Sequence, residues 1–359
     1  MSVAYPFTPI GPDAVGGSEQ VLTTLEKALT DAGHNSIVIA VKGSKVTGKL
    51  AATPEWNGLL NDSVRGLGQQ QHRRTIERVL NETPIDLVHM HSLDFHRYLP
   101  VRNVPVLATL HLPPSWYPQE IFHLTRPNTY LNCVSSAQRR FCRPSPLLLP
   151  SIPNGVDVQR LDARTSKSKY VLALGRICPE KGFHVALDAA RKARVEMVLA
   201  GEVFPYEAHQ RYFEQEIVPR LDHRRQFIGP AGFSRKRGLL NEALCLLVPS
   251  TVPETSCLVA MEALACGTPV IAFPSGALVE IVEHGRTGFL VETAAEMAEA
   301  IKSIGDLSSE ACRSAAKDRF CSHKMVERYF QAYNRIVNSA ACGSQREEYA
   351  SVRLGAAAL

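Results

Sequence analysis

The stretch Leu244-Cys245-Leu246-Leu247-Val248-Pro249-Ser250-Thr251-Val252-Pro253-Glu254-Thr255-Ser256-Cys257-Leu258-Val259-Ala260-Met261-Glu262 decides how the chain is read. It opens with a short apolar run of the buried-strand kind and closes in an apolar helical pattern that continues to Ala265. A polar loop punctuated by prolines lies between. Strand, loop and helix in that order form the unit of an open parallel sheet, which presents ligands at the carboxyl ends of its strands. Seven residues separate Glu254 from Glu262. The helix start offers the unpaired N–H groups of Ser256, Cys257, Leu258 and Val259 to phosphate oxygens, and Glu254 beside it can accept sugar hydroxyls. Glu262, about two turns further on, points to the same cleft and suits both hydroxyls of a ribose. A carboxylate inside an apolar run is costly without a partner; the alternative is a solvent-facing Glu262.

Working outward, short β-branched runs alternate with helical patterns on both sides of this stretch. In the first half the strands are read at Ser36–Val41, Leu87–His91, Val104–Leu110 and Tyr130–Val134. Helices are read at Ser18–Ala32, stopped by Gly33, and at Arg73–Leu80. The proline-rich segment from Arg143 to Asn154 and the polar run Arg164–Lys169 mark an interdomain connection. A second unit begins at Tyr170–Leu174 and adds strands Glu196–Ala200, Arg225–Ile228, Leu244–Val248, Pro269–Phe273 and Gly288–Val291. Its helices are read at Phe183–Ala193, Tyr206–Arg220, Leu258–Ala265 and Ala294–Ile304, and a last helix at Lys324–Asn338. The expected division is a first domain over 1–150, a second over 151–323, a helix over 324–342 packing back on the first domain, and a flexible tail over 343–359.

Three further segments fall at strand ends or helix starts. Asp13-Ala14-Val15-Gly16-Gly17-Ser18-Glu19 places paired glycines before a helix, where backbone can approach an anion, although a plain tight turn reads equally well. Gly175-Arg176-Ile177-Cys178-Pro179-Glu180-Lys181-Gly182 follows a strand, and its Arg and Lys can converge on one diphosphate. His111 ends the strand before Leu112-Pro113-Pro114; such a histidine is often merely hydrogen-bonded structure. Alternation puts His89 and His91 on one face, compatible with a metal pair but lacking a carboxylate at fitting spacing; His96 lies close by in sequence.

Composition bounds these readings. The 359 residues suit two domains, and 45% hydrophobic with 21% charged excludes a wholly disordered chain. Nine cysteines without a Cys-x-x-Cys pair favour neither disulfides nor zinc, and a reducing cytoplasmic location fits them. The start, Met1-Ser2-Val3-Ala4-Tyr5-Pro6, lacks the charged flank and apolar stretch of a secretion signal. A net charge of +5 is dispersed over His72-Arg73-Arg74, Arg139-Arg140, His223-Arg224-Arg225 and Arg235-Lys236-Arg237, read as solvated ends and loops. That dispersion argues against nucleic acid as a partner. Peripheral contact at the inner membrane face is the second location considered, through the basic 65–78 region.

Together these segments resemble the retaining glycosyltransferases of family four, with the two-domain GT-B fold of Rossmann-like units facing a cleft. The likeness is dense in the second half, where Pro153-Asn154-Gly155-Val156-Asp157, Gly175-Arg176…Glu180-Lys181-Gly182, Pro249-Ser250…Glu254…Glu262-Ala263, Gly267-Thr268-Pro269-Val270 and Gly276…Glu280-Ile281-Val282 arrive in the family's order. It implies a nucleotide-diphosphate sugar as donor and a carbohydrate or other hydroxyl as acceptor. Arg176 and Lys181 match the diphosphate-neutralising positions, Glu262 the ribose grip and Glu254 the contact to the donor sugar. The backbone of Ser256, Cys257, Leu258 and Val259 matches contacts to sugar and distal phosphate. His111 matches a histidine reaching the sugar from the other domain, and Gly16 and Gly17 the loop lining phosphate and acceptor. Retention of anomeric configuration is implied, with no metal and no other cofactor.

Two departures stand out. Only Val3-Ala4-Tyr5 precedes Pro6 where the family has a full first strand, so that strand is stunted or the start lies upstream. Cys257 stands where glycine or another small residue is commoner. The same phosphate grips also suit a sugar phosphorylase, a nucleotide-sugar epimerase or a non-catalytic nucleotide-sugar binder. A nicotinamide-dependent dehydrogenase is disfavoured because no Gly-x-Gly-x-x-Gly follows a first strand.

Overall fold

The computed structural model describes residues 1–56 and 60–356, with side chains through Ala340. It contains two six-stranded, wholly parallel sheets. The first comprises β1 (Ser2–Val3), β2 (Ile37–Val41), β3 (Lys49–Thr53), β4 (Val88–Met90), β5 (Val106–Leu110) and β6 (Thr129–Cys133), in the order β3-β2-β1-β4-β5-β6. The second comprises β7 (Tyr170–Leu174), β8 (Glu196–Ala200), β9 (Arg225–Phe227), β10 (Leu246–Val248), β11 (Val270–Ala272) and β12 (Gly288–Leu290), ordered β12-β11-β10-β7-β8-β9. Both are the same doubly wound topology. The order reverses beside β1 and beside β7, and the crevice at such a reversal is where ligands lodge.

The stunted strand is present and central. Ser2–Val3 pairs with β2 on one side and β4 on the other. Ala4 N–H adds a 2.9 Å bond to Ile39 O, and His91 N–H a 3.0 Å bond to Val3 O. Few residues suffice because both neighbours are long enough to hold them. The sequence reading missed β3, whose Lys-Leu-Ala-Ala-Thr composition is weak for a strand and whose edge position leaves it half exposed.

Other boundaries moved for physical reasons. The helix read at Arg73–Leu80 spans Asp62–Glu82, with Asn61 accepting a capping bond from Val64 N–H; its polar first half, with Gly66 and Gly68, hid it. The helix read at Tyr206–Arg220 is α-helical only over Glu207–Tyr212, then widens to a π-turn and tightens to 3₁₀ at Val218–Arg220, where Pro219 cannot continue an α-helix. Helices Phe233–Glu242 and Ser309–Arg319 were not read at all; both are strongly polar. The basic clusters read as solvated each need correction where a member is buried: His72, Arg225 and Lys236 lie inside.

The chain crosses between the sheets twice, side by side. Val156 N–H bonds Phe320 O and Ser322 N–H returns to Val156 O. A Cβ at Gly155 would sit 2.8 Å from Ser322 Cα, so the crossing tolerates only glycine. After it, helix Ser322–Ala356 lays Met325, Tyr329, Tyr333 and Ile336 against Val21, Leu25, Leu107 and Ile152 of the first half. The helix runs on to Ala356, past the end expected at 342, since Gln345-Arg346-Glu347-Glu348 are good helix formers and one glycine at 343 does not stop them; 357–359 lie outside the described residues. Among the described residues no helix is long and apolar enough to cross a membrane.

Candidate active site

The site is built where β7 and β10 end side by side. After β7 the backbone takes φ +155 at Gly175, passes Arg176 and makes a short 3₁₀ turn at Pro179–Lys181. Gly182 then adopts φ +63, and a Cβ there would stand 2.2 Å from Pro249 O. Only glycine lets this turn press on the loop after β10. Lys181 Nζ consequently reaches across and bonds Glu254 Oε1 at 2.5 Å, and Ser250 Oγ donates to the same oxygen. Burial pushes the Glu254 carboxyl up, but Lys181, Ser250 and Arg176 outweigh it and the net shift is downward. Lys181 answers in kind: burial lowers it, Glu254 more than compensates, and its net shift is upward. This is a preformed, half-buried pair.

Arg176 is the other cation. Among the described residues its guanidinium makes no hydrogen bond or ion pair, although it is close enough to Glu254, Lys181 and Glu19 to act on all three. The Glu254 loop is fixed from the far side by Gly276. Ala277 N–H bonds Glu254 O at 2.7 Å, and a Cβ at Gly276 (φ +59) would lie 2.2 Å from that oxygen.

Helix Leu258–Ala265 begins beyond this loop. The N–H groups of Ser256, Cys257, Leu258 and Val259 find no acceptor among the described residues, and the buried Ser256 Oγ has none either. Four N–H groups and a hydroxyl without partners form an anion cradle. Cys257 caps the helix at φ +52, ψ 66, a left-handed conformation that costs a non-glycine residue about 1–2 kcal/mol. That conformation is why a glycine suits the position. Burial first, then Glu254, pushes the Cys257 thiol up to about 12, with Glu262 adding to it, so the thiol is near enough to feel both carboxylates. Glu262 is buried and paired with Lys236 Nζ at 2.5 Å, which removes the solvent-facing alternative.

The first domain closes the cleft. Thr255 Oγ1 bonds His111 O at 2.8 Å, Phe233 N–H bonds Asp13 Oδ1 at 3.2 Å, and a Cβ at Gly17 would lie 3.3 Å from Leu258 Cδ1. The Gly16-Gly17 turn therefore faces the helix start. Over Gly16 lies the carboxylate of buried Glu19, held by Ser18 Oγ at 2.9 Å. His111 is buried and its pKa falls to about 3 for that reason, so it is a neutral hydrogen-bonding ring. Its Nε2 is 3.0 Å from His91 Nδ1; His91 Nε2 is 3.1 Å from His89 Nδ1, which also meets Tyr333 OH at 2.8 Å. His89 Nε2 ends on Thr109 Oγ1 at 2.7 Å. These histidines, for which a metal pair was only the lesser alternative, are satisfied by one another, by Thr109 and by a tyrosine of the last helix.

The family model described as Glycosyltransferase Family 4 matches residues 15–160, and that described as Glycosyl transferases group 1 matches 168–306. The chain belongs to glycosyltransferase family four. Phosphatidyl-myo-inositol mannosyltransferase of Mycolicibacterium smegmatis is 28% identical over 358 residues, covering 89% of this chain and 88% of that one. The Mycobacterium tuberculosis protein of the same name is 29% identical over 213 residues, and there the chain spans about half of its relative, 55%, and 53% of itself is matched. Among solved structures, the glycosyltransferase AviGT4 of avilamycin A biosynthesis superposes with TM-score 0.70 at 24% identity, over 94% of this chain and 97% of that one. Sucrose-phosphate synthase from Thermosynechococcus elongatus gives 0.77 at 18%, over 94% and 98%. The fold is GT-B.

The candidate site also brings together three groups to which the sequence reading gave no role. Lys236 was counted among solvated cations; the cue was the buried Glu262, which needed a partner. Glu19 was quoted within its turn without a role. Thr255 was passed over because an interdomain contact leaves no sequence pattern.

Proposed function

We propose that this protein transfers a sugar from a nucleotide-diphosphate sugar to an acceptor hydroxyl with retention of anomeric configuration. One observation carries the reading: a free guanidinium, an ion-paired lysine and unpartnered helix N–H groups surround one cleft. The leaving diphosphate gains negative charge as the glycosyl bond breaks, and preorganised cations and N–H dipoles stabilise that charge. Arg176 forks onto the phosphates, and Lys181 adds a point charge there while keeping Glu254 ionised. Glu254 accepts hydroxyls of the donor sugar, and Glu262, paired with Lys236, accepts the ribose hydroxyls. His111 donates or accepts one hydrogen bond at the sugar as a neutral ring. The acceptor attacks from the face the diphosphate leaves, and a departing phosphate oxygen takes its proton. Cations and N–H groups carry this stabilisation, so the reading assigns no metal to the diphosphate.

The identity of relatives supports the donor class. One neighbour, HepE of Anabaena, is described in complex with UDP-glucose, and the mannosyltransferases act on a lipid by name. Helix Asp62–Glu82 exposes Arg65, Arg73, Arg74 and Arg78 with Leu67 between, and we read that face as a contact for an anionic surface bearing the acceptor. The test is release of nucleoside diphosphate from a panel of donors, with and without acceptor, followed by the anomeric configuration of the product. Acceptor-dependent release with retained configuration supports the proposal. Phosphate-dependent cleavage would indicate a phosphorylase, donor isomerisation an epimerase, and binding without turnover a mere binder.

A further inference from the structure

Next to the turn that carries Arg176 and Lys181, three side chains of metal-ligating type converge. The ligating atoms of Cys178, Glu180 and His209 all lie within 4.8 Å of one another. Cys178 and Glu180 come from the turn after β7, and His209 from helix Glu207–Tyr212, which packs on it. Two atoms here are anomalous. Glu180 Oε2 and His209 Nδ1 are both buried without any hydrogen-bond partner. Native proteins seldom leave such atoms unpaired, and each instance calls for a ligand or a cost. The buried Cys178 thiol makes a long 3.6 Å contact to Arg176 O and also interacts with the Glu180 side chain. Tyr206 meets the His209 ring edge-on at 5.1 Å, which limits its rotation.

We propose that Cys178, Glu180 and His209 bind one divalent transition-metal ion of the zinc class, with water in the fourth position. Thiolate and imidazole select that class over magnesium or calcium, which prefer oxygen alone. In a tetrahedral zinc site neighbouring ligand atoms stand about 3.3–3.6 Å apart. The separations, at most 4.8 Å, therefore close by up to about 1.5 Å, within reach of side-chain rotation. The charges balance: one thiolate and one carboxylate neutralise the dication. Binding replaces the Cys178 thiol proton with the metal, and that proton passes to solvent. No step of sugar transfer is routed through the ion. Its effect is to fasten the Arg176–Lys181 turn to the neighbouring helix, so the inference stands or falls separately from the transfer reaction.

The experiment uses the full chain, stripped with chelator and kept reduced, titrated with Co²⁺ alone. The expected result is one equivalent bound, with visible d–d absorption and a thiolate-to-cobalt charge-transfer band, both displaced by Zn²⁺. Cys178→Ser abolishes the charge-transfer band. His209→Ala weakens Co²⁺ binding by roughly 100-fold, at the upper end of what metal-site substitutions remove, and Zn²⁺ then no longer raises its melting temperature. Melting without metal shows whether each variant is folded; if Cys178→Ser is not, Glu180→Gln and His209→Ala carry the test. Absence of a thiolate band in the parent, or equal Co²⁺ affinity in parent and folded variants, would overturn the proposal and leave adventitious surface binding as the account.

Discussion

Thr255 Oγ1 donates a 2.8 Å hydrogen bond to the carbonyl oxygen of His111. This single contact ties the loop of Glu254 to the end of β5, so the residue read as the donor-sugar contact and the histidine opposite it are held in register across the cleft. Replacing Thr255 by Val keeps the shape and removes the bond. We expect about 1 kcal/mol of lost stability, the net worth of one such bond, and a lower turnover with donor affinity nearly kept. Urea denaturation and steady-state kinetics check it; unchanged turnover would make the contact incidental.

Gly182 and Gly276 are two places where the site depends on the absence of a side chain. A Cβ at either would stand 2.2 Å from a backbone oxygen, of Pro249 and Glu254 respectively, and both glycines have positive φ. Gly182→Ala is expected to destabilise by more than the roughly 1 kcal/mol of left-handed strain, because the Pro249 loop must also move. Its donor affinity should fall with it, measured by calorimetry. An alanine variant with parental affinity would mean the turn is not preformed.

The buried Lys236–Glu262 pair makes a two-step prediction. Lys236→Met strands a buried carboxylate and should cost roughly 3 kcal/mol, whereas Lys236→Met combined with Glu262→Leu should recover most of that loss. Nucleotide binding should stay at least about tenfold weaker in the double variant, since a charged acceptor for hydroxyls is gone. Recovery of both stability and binding would remove Glu262 from the donor site.

The histidine core fixes how stability responds to acid. Burial lowers His72 to about 4 and His111 to about 3, and holds His89 and His91 well below the ordinary value. The unfolded chain takes up protons near pH 6.5 and the folded chain does not, so stability is intact above that pH and falls as pH drops toward the folded values. Each histidine contributes up to about 1.4 kcal/mol per pH unit. We expect more than about 2 kcal/mol lost between pH 7.5 and 5.5 in urea denaturation, ahead of any loss from Glu254, whose window lies below the ordinary carboxylate value. A flat profile over that range contradicts the buried neutral cluster.

Much of this architecture is legible in the sequence. The apolar runs of β7, β10 and β11 and the proline-bounded loop between Val248 and Leu258 carry their own periodicity, so the second sheet and the pairing of Glu254 with a helix start could be read directly. The first sheet was less legible. Ser2–Val3 is too short to show alternation and takes its place from β2 and β4, and β3 is an edge strand of weak propensity. Lys236 escaped because burial of a charge depends on a partner distant in sequence, and Glu19 because its burial comes from tertiary packing that leaves no local pattern. Cys257 read as an oddity of composition, and its left-handed backbone explains the preference it departs from.

The central claim is that Arg176, Lys181 and Glu254 act on one donor, the first two on its diphosphate and the third on its sugar. Its most direct test is to titrate the matching nucleoside diphosphate and nucleotide sugar into the parent, Arg176→Ala, Lys181→Ala and Glu254→Gln, and to measure turnover of each. The account predicts that both cation variants lose diphosphate binding and turnover, whereas Glu254→Gln keeps diphosphate binding and loses turnover by about 100-fold or more, the scale of one removed transition-state contact. Parental binding and turnover in all three variants would contradict it.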